Sequence, residues 1–214
     1  MNWQDWMHQA LPRTDYMRGG ATVWPKGGQG LIGDSLGPVM HLHDGASEVF
    51  YFISGRCRLE IGNSEVFCGP GDLVLVPPEV PHNVLNAIDE DLLVFWIVAP
   101  HFQANKWRTD NFPAGAMERR AICQPVHGAT ELPSDAQIRS QQLRLASGMT
   151  HRSRTGERQE AVLYVTDGRA DVTVGKLAGT LSAHDFIHVP VDTAFAVAPA
   201  DGAASVLLFE MPGG

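Results

Sequence analysis

The feature that most constrains the fold is an internal repeat that relates the two halves of this 214-residue chain. At an offset of 113 positions, much of the second half aligns with the first half without a gap. The matched positions are Tyr51 with Tyr164, Gly55 with Gly168, Arg56 with Arg169, Gly62 with Gly175, Asp72 with Asp185, Val76 with Val189, Pro77 with Pro190, and the run 92–96 with 205–209. Such a repeat predicts two tandem copies of one structural unit.

Each copy contains short segments rich in β-branched and aromatic residues. In the first copy these segments are 49–53, 56–61, 73–76 and 92–98, and the second copy repeats the pattern at 161–165 and 206–211. Segments of this kind are typical of strands, and the 22 glycines and 14 prolines scattered along the chain supply the turns between them. The sequence therefore predicts an all-β fold.

The repeat also predicts the domain boundaries. We expect an N-terminal domain over 1–100, a polar connector with interspersed aromatic residues over 101–119, and a C-terminal domain over 120–214. The first residues, with Trp3, Trp6, Met7 and Ala10 before Pro12, have the spacing of a short amphipathic helix or packing arm.

Composition limits which classes of partner the chain can bind and which cellular compartment suits it. A net charge of −8 opposes binding to nucleic acid or to acidic lipid headgroups, and no apolar run is long enough to cross a membrane. Residues 1–15 lack the pattern of a secretory signal, and three cysteines suit a reducing compartment, so we expect a cytoplasmic protein. A hairpin turn at Gly62-Asn63 would place Cys57 opposite Cys68, and we expect both thiols to be reduced packing residues.

Two segments of the first copy concentrate metal-ligand side chains. His41 and His43 are two residues apart, so on a strand both imidazoles project from one face, and Glu48 follows closely. A third imidazole, His82, comes after a turn, and Asn86 follows it. Imidazole nitrogens with one carboxylate suit Fe, Mn, Ni, Co or Zn, and the absence of a thiolate argues against a closed structural zinc site.

These segments resemble the paired motifs of the cupin superfamily, G-x5-H-x-H-x(3,4)-E-x6-G and G-x5-P-x-G-x2-H-x3-N. The positions that match are His41, His43, Glu48, Gly55, Gly71, Pro77, His82 and Asn86. Two positions depart from the pattern, because Gly37 lies four residues before His41 rather than six, and Glu79 stands where glycine is expected. The resemblance implies two jelly-roll β-barrels, a two-domain cupin or bicupin, with metal ligands His41, His43, Glu48 and His82.

The second copy does not retain these ligands. At the same offset, His41 aligns with Arg154, His43 with Gly156, Glu48 with Ala161 and His82 with Phe195. His151 and Glu160 lie close to ligand positions, but a shift of one residue on a strand turns a side chain to the other face. We also expect His184 and His188 to be ordinary interior or edge histidines. The sequence thus predicts one divalent transition metal ion per chain.

Three classes of function are compatible with an exchangeable metal site on a small organic substrate. The first is a dioxygenase-type oxidoreductase similar to the quercetin dioxygenase-like cupins, in which Glu48 also moves protons; it is the prediction that we favour. The second is a redox-neutral isomerase, lyase or decarboxylase, and the third is a non-catalytic small-molecule-binding protein. Phe50, Phe52 and Val84 are expected on the inner face, either lining a substrate pocket or only filling the barrel. The resemblance also implies a homodimer.

Overall fold

The computed structural model describes residues 7–24, 40–85, 91–100 and 107–212, and it divides the chain into two compact units, Met1–Pro133 and Ser134–Gly214. Nearly all of the regular structure in these residues is β, and the one short helical turn they contain is the 3-10 turn Ala116–Glu118. The predicted all-β fold is confirmed. Across the same residues, no helix is long and apolar enough to span a membrane.

The first unit is built from antiparallel strands in two main sheets. The strands are β1 (Met7–Ala10), β2 (Arg18–Trp24), β3 (Leu42–His43), β4 (Ser47–Ser54), β5 (Cys57–Ile61), β6 (Ser64–Cys68), β7 (Asp72–Val76), β8 (His82–Leu85), β9 (Leu92–Ala99), β10 (Trp107–Arg108) and β11 (Ile122–Pro125). One sheet has the order β1-β2-β9-β4-β7-β11 and the other β6-β5-β8, while β3 and β10 form a separate pair.

The first core lies between these sheets because successive side chains on a strand point to opposite faces. Along β5 the residues alternate between buried and half-buried, and along β6 between half-buried and exposed until Cys68. The inward residues of β4, β5, β6, β7, β8 and β9 form one apolar cluster. It includes Phe50, Phe52, Cys57, Leu59, Ile61, Cys68, Val74, Val76, Val84, Leu92 and Val94.

The N-terminal helix prediction is wrong for the part that can be tested. Met7–Ala10 is a strand that pairs antiparallel with β2 at the edge of the large sheet. Pairing with an existing edge satisfies the backbone N–H and C=O groups that a four-residue helix would leave largely unsatisfied. Residues 1–6, which include Trp3 and Trp6, lie outside the described residues.

The hairpin prediction at Gly62 is confirmed. Ile61 pairs with Ser64 and Cys57 pairs with Cys68. Gly62 has φ +53, a left-handed conformation that L side chains rarely adopt, and a Cβ there would collide with the backbone carbonyl of Met117. Glycine is therefore required at this turn for two reasons.

The second unit is a smaller arrangement of long strands. Its strands are β12 (Arg139–Leu145), β13 (His151–Arg154), β14 (Gln159–Val174), β15 (Leu177–Ser182), β16 (Phe186–Val189) and β17 (Ala194–Pro212). The sheet order is β12-β17-β14-β15, with β13 also paired to β17 and β16 to β14. Its interior is apolar and includes Leu163, Val165, Val172, Val197, Val206 and Leu208.

The repeat is visible as matching turns in the two units. In the first unit, the backbone N–H of Gly71 donates to the carbonyl of Phe52 at 2.8 Å. At the positions 113 residues later, the N–H of His184 donates to the carbonyl of Val165 at 2.7 Å, and both Gly71 and His184 have positive φ. The two copies therefore share the local geometry of this turn.

The division between the units lies C-terminal to the boundary expected from the repeat. The sequence placed residues 120–133 in the second domain, whereas Ile122–Pro125 pairs with β7 of the first unit. The N–H of Val126 then donates to the carbonyl of Gly71 at 2.9 Å, which extends the attachment. These contacts account for the end of the first unit at Pro133.

Candidate metal centre

Four side chains of the first unit converge at one end of the two sheets. His43 ends β3, Glu48 lies near the start of β4, and His82 begins β8. His41 joins them through a backbone bridge, since its N–H donates to the His82 carbonyl at 3.0 Å and its carbonyl accepts the His82 N–H at 2.7 Å. These residues, His41, His43, Glu48 and His82, are called the imidazole–carboxylate cluster below.

The imidazole–carboxylate cluster is shielded from bulk water. Its four residues have relative exposures of only 1–3%. The ligand atoms that they offer all lie within 4.8 Å of one another, close enough for one ion to contact every residue. The residues that the sequence predicted as ligands are therefore brought together, and they could hold a metal ion.

The distances inside the cluster fit ligands of a common cation. Glu48 Oε2 lies 3.2 Å from His43 Nε2 and 3.0 Å from His82 Nε2. Neighbouring ligand atoms on one ion with bonds of about 2.1 Å are separated by roughly 3.0 Å to 3.4 Å. The second carboxylate oxygen, Glu48 Oε1, is buried and has no hydrogen-bond partner among the described residues. A buried, unsatisfied anionic oxygen is costly, so a bound cation suits this position.

The orientation of His82 is fixed from the side away from the cluster. Its Nδ1 lies 2.9 Å from the carbonyl of Val80, so Nδ1–H is the donor in that bond. In a neutral ring this leaves the Nε2 lone pair pointing at the carboxylate of Glu48, which is the arrangement of a metal ligand held by an outer hydrogen bond.

Glu48 is held in its charged form. Burial would raise the pKa of its carboxyl group, but hydrogen bonds and charge interactions with His43 and His82 outweigh burial and hold that pKa well below its usual range. The cluster therefore presents an anionic oxygen beside three imidazoles at neutral pH.

The turn before His82 keeps a glycine-like shape although Glu79 replaces glycine. Glu79 has φ 60, and its N–H donates to the carbonyl of His43 at 2.9 Å, which ties the turn to β3. Its carboxylate pairs with Arg119 at 2.6 Å on the surface. In the second unit the corresponding residue, Asp192, has φ 49 and pairs with Arg154. Neither ion pair was predicted, because each joins residues distant in sequence.

The predicted pocket residues lie beside the cluster. Phe50 follows Glu48 on the same face of β4, and its ring centroid is 6.2 Å from that of His82 in an edge-to-face arrangement. Phe52 stacks on Phe50 at 6.4 Å, and Val84 belongs to the same apolar cluster. All three are fully buried. Gly37 and Asn86 of the sequence motifs lie outside the described residues.

The second unit has an apolar interior at the corresponding positions. Ala161 and Phe195, which align with Glu48 and His82, are both buried in its core. His188 Nε2 lies 3.1 Å from Glu160 Oε2. Within the described ranges, groups of three or more candidate ligands occur only in the first unit.

Comparison with known sequences identifies part of the first unit. Residues 31–98 match the family model described as a cupin domain. An uncharacterised protein of Methanocaldococcus jannaschii is 27% identical over 66 residues, which cover 28% of this chain. The chain spans about half of that relative, 53% of its length.

Solved structures extend the likeness to most of the chain. Salicylate 1,2-dioxygenase from Pseudaminobacter salicylatoxidans has a TM-score of 0.71 at 15% identity, covering 95% of this chain and 75% of that chain. Protein Ylba from E. coli has a TM-score of 0.68 at 14% identity, with 94% and 81% covered. AerE from Microcystis aeruginosa has a TM-score of 0.64 at 12% identity, with 94% and 90% covered. At these identities the likeness establishes the fold alone.

Proposed function

We propose that this cupin-fold chain, with its cupin domain at residues 31–98, is a metal-dependent dioxygenase-type oxidoreductase that acts on a small organic substrate. The observation that carries the proposal is the buried imidazole–carboxylate cluster. Its four residues would hold one divalent transition metal ion from the group Fe, Mn, Ni, Co and Zn.

The ligand set favours reaction over a structural role for the ion. Structural zinc sites are usually rich in thiolates, whereas three imidazoles and one carboxylate suit an ion with five or six coordination positions, which leaves one or two positions open for exchange. When bound, such an ion supplies Lewis acidity and, if it is redox-active, electron transfer with dioxygen. The low exposure of the cluster supports a site from which bulk water is excluded.

The apolar residues beside the cluster support an aromatic or aliphatic substrate. Phe50, Phe52 and Val84 would form a wall that offers dispersion contacts and no hydrogen bonds, which disfavours a heavily hydroxylated sugar. One structural relative is named as a dioxygenase of salicylate, an aromatic carboxylate. This supports small phenolic and enolic compounds as the first substrates to examine.

We assign Glu48 a role in proton transfer as well as in metal ligation. Its Oε2 is shared with two imidazoles, while Oε1 is buried without a hydrogen-bond partner in the described part of the chain. A substrate hydroxyl could hand its proton to the Glu48 carboxylate when that carboxylate swings away from the ion.

The test combines metal analysis with oxygen consumption. Protein purified without added metal is analysed for bound elements and then screened in an oxygen electrode against salicylate and related phenolic and enolic compounds. The variant His82→Ala should lose both the metal bound at the imidazole–carboxylate cluster and oxygen consumption. The matched control, His127→Ala, changes an exposed histidine outside the cluster and should keep both.

The outcomes distinguish the three classes of function. Metal-dependent oxygen consumption that His82→Ala abolishes supports the proposal. Substrate turnover without oxygen consumption would replace it with a redox-neutral enzyme, and saturable binding without turnover would replace it with a binding protein. Equal activity in His82→Ala and in the wild type would refute any function based on this cluster.

A further inference from the structure

All three cysteines of the chain meet at one place in the first unit. Cys57 begins β5 and pairs with Cys68 at the end of β6. Cys123 lies on β11, and its Sγ is 3.6 Å from that of Cys68. Asp72, at the start of β7, offers a carboxylate oxygen within 4.8 Å of both of these sulfurs. These four residues are called the thiol cluster below.

We propose that the thiol cluster is a second metal site of the first unit, with Cys68, Cys123 and Asp72 as ligands for a soft divalent cation such as Zn²⁺. Cys57 contacts the Cys68 thiol but is not one of the three residues whose ligand atoms all lie within 4.8 Å of one another. Two sulfurs with one carboxylate oxygen form a donor set typical of zinc rather than of magnesium or calcium.

The distance between the sulfurs favours a shared ion over a disulfide. With Zn–S bonds of about 2.3 Å and tetrahedral angles, two ligating sulfurs lie about 3.8 Å apart. The observed 3.6 Å is close to that value. A disulfide needs a separation of about 2.05 Å, so the two sulfurs would have to approach by roughly 1.5 Å.

The thiol cluster is separate from the imidazole–carboxylate cluster. The two lie towards opposite ends of β5, because Cys57 is its first residue and Ile61, its last, pairs with His82. Four residues of extended strand span roughly 13 Å. One ion cannot serve both groups, and their donor atoms favour different metals.

The thiol cluster can also be reached by an ion from solvent. Cys57 and Cys68 are buried, while Cys123 and Asp72 are half-buried, so an ion can approach from their side. Asp72 is positioned by its own turn, where Oδ2 accepts the N–H of Gly69 at 2.8 Å. The hydrogen bond to Cys68, followed by burial, raises the pKa of the Cys123 thiol. Each thiol that becomes a ligand therefore releases its proton to solvent when the ion binds.

The experiment uses Co²⁺ as a probe in the full-length protein kept reduced. Cobalt bound to thiolate gives a sulfur-to-metal charge-transfer absorption in the near ultraviolet, which imidazole and carboxylate ligands do not produce. We expect this band to saturate by two equivalents of added cobalt, because the imidazole–carboxylate cluster also takes one, and to disappear in Cys123→Ser. The band should persist in His41→Ala, because this variant removes a ligand of the imidazole–carboxylate cluster and leaves the thiol cluster unchanged. The test therefore remains valid even if the proposed function is wrong.

A second measurement needs no variant and applies even if Cys123→Ser fails to fold. Zn²⁺ at about 100 times its dissociation constant should slow the reaction of Cys123 with a thiol reagent roughly a hundredfold, because it depletes the free site by that factor. The inference is overturned if the reduced wild type shows no sulfur-to-cobalt band, if a folded Cys123→Ser keeps the band, or if Zn²⁺ leaves the labelling rate unchanged. A Cys68–Cys123 disulfide in oxidised protein together with no cobalt band in reduced protein would instead assign a redox pair.

Discussion

Changing Glu48 to glutamine tests the chemistry of the imidazole–carboxylate cluster with little change of shape. Glutamine keeps one oxygen that can contact an ion but removes the negative charge and the basicity. In the wild type, Oε2 contacts two imidazoles at 3.0 Å and 3.2 Å in a fully buried setting. The substitution weakens at least one charge-assisted hydrogen bond of this kind, and such bonds contribute about 1.5–3 kcal/mol each.

We therefore expect two separable effects of Glu48→Gln. The free energy of unfolding of the metal-free protein should fall by about 1.5–3 kcal/mol, measured by denaturant unfolding. Turnover of an identified substrate should fall by roughly two to four orders of magnitude, the usual share of general acid–base catalysis, while metal is at least partly retained. Elemental analysis of the same sample shows whether lost activity reflects lost metal.

The matched control is Glu160→Gln in the second unit. Glu160 is also a buried glutamate with a histidine partner, His188, at 3.1 Å. Its substitution should lower stability without reducing metal content or turnover. If Glu48→Gln retains metal and full activity, Glu48 is a replaceable ligand and its proposed role in proton transfer is wrong.

Three further predictions concern affinity, assembly and the hairpin. Metal affinity at the imidazole–carboxylate cluster should fall as the pH is lowered, because protons compete with the ion for its ligand atoms. Titration with a competing chelator at several pH values measures the affinity, and an affinity independent of pH would contradict the prediction. The chain should form a homodimer, so light scattering at micromolar concentration should not give the monomer mass of 23.3 kDa. Gly62→Ala should destabilise the protein by at least about 1 kcal/mol, because residue 62 has a positive φ. The control Gly69→Ala should have a small effect, because a Cβ at residue 69 would meet nothing closer than 3.8 Å. Equal melting temperatures of the two variants would refute the reasoning.

The imidazole–carboxylate cluster could be predicted from the sequence because most of its geometry is local. His41 and His43 point together on any extended segment, and Glu48 is the second residue of the strand that follows. His82 is brought back because β8 pairs with β5, the strand that also forms the hairpin with β6, and the turn of that hairpin at Gly62 is readable from its two residues. The spacing of the four ligands therefore predicted the cluster with few assumptions about contacts between segments distant in sequence.

Other features depend on contacts that spacing does not encode. Glycine was read as a strand break, yet β14 continues through Gly168, where a bulge shifts the register against β17. Met7–Ala10 has a helical pattern of residues, but pairing with the edge of β2 decides its structure. The contact of Cys123 with Cys68 arises because β11 adds to β7, a pairing between segments about fifty residues apart that no local signal marks.

The most direct test of the central claim is the location of bound metal in a crystal of the wild-type protein. Data collected on either side of the absorption edge of the bound element would give an anomalous difference map. We predict a peak within about 2.0–2.3 Å of ligand atoms from His41, His43, Glu48 and His82. A metal-loaded crystal with no peak inside this cluster would contradict the account.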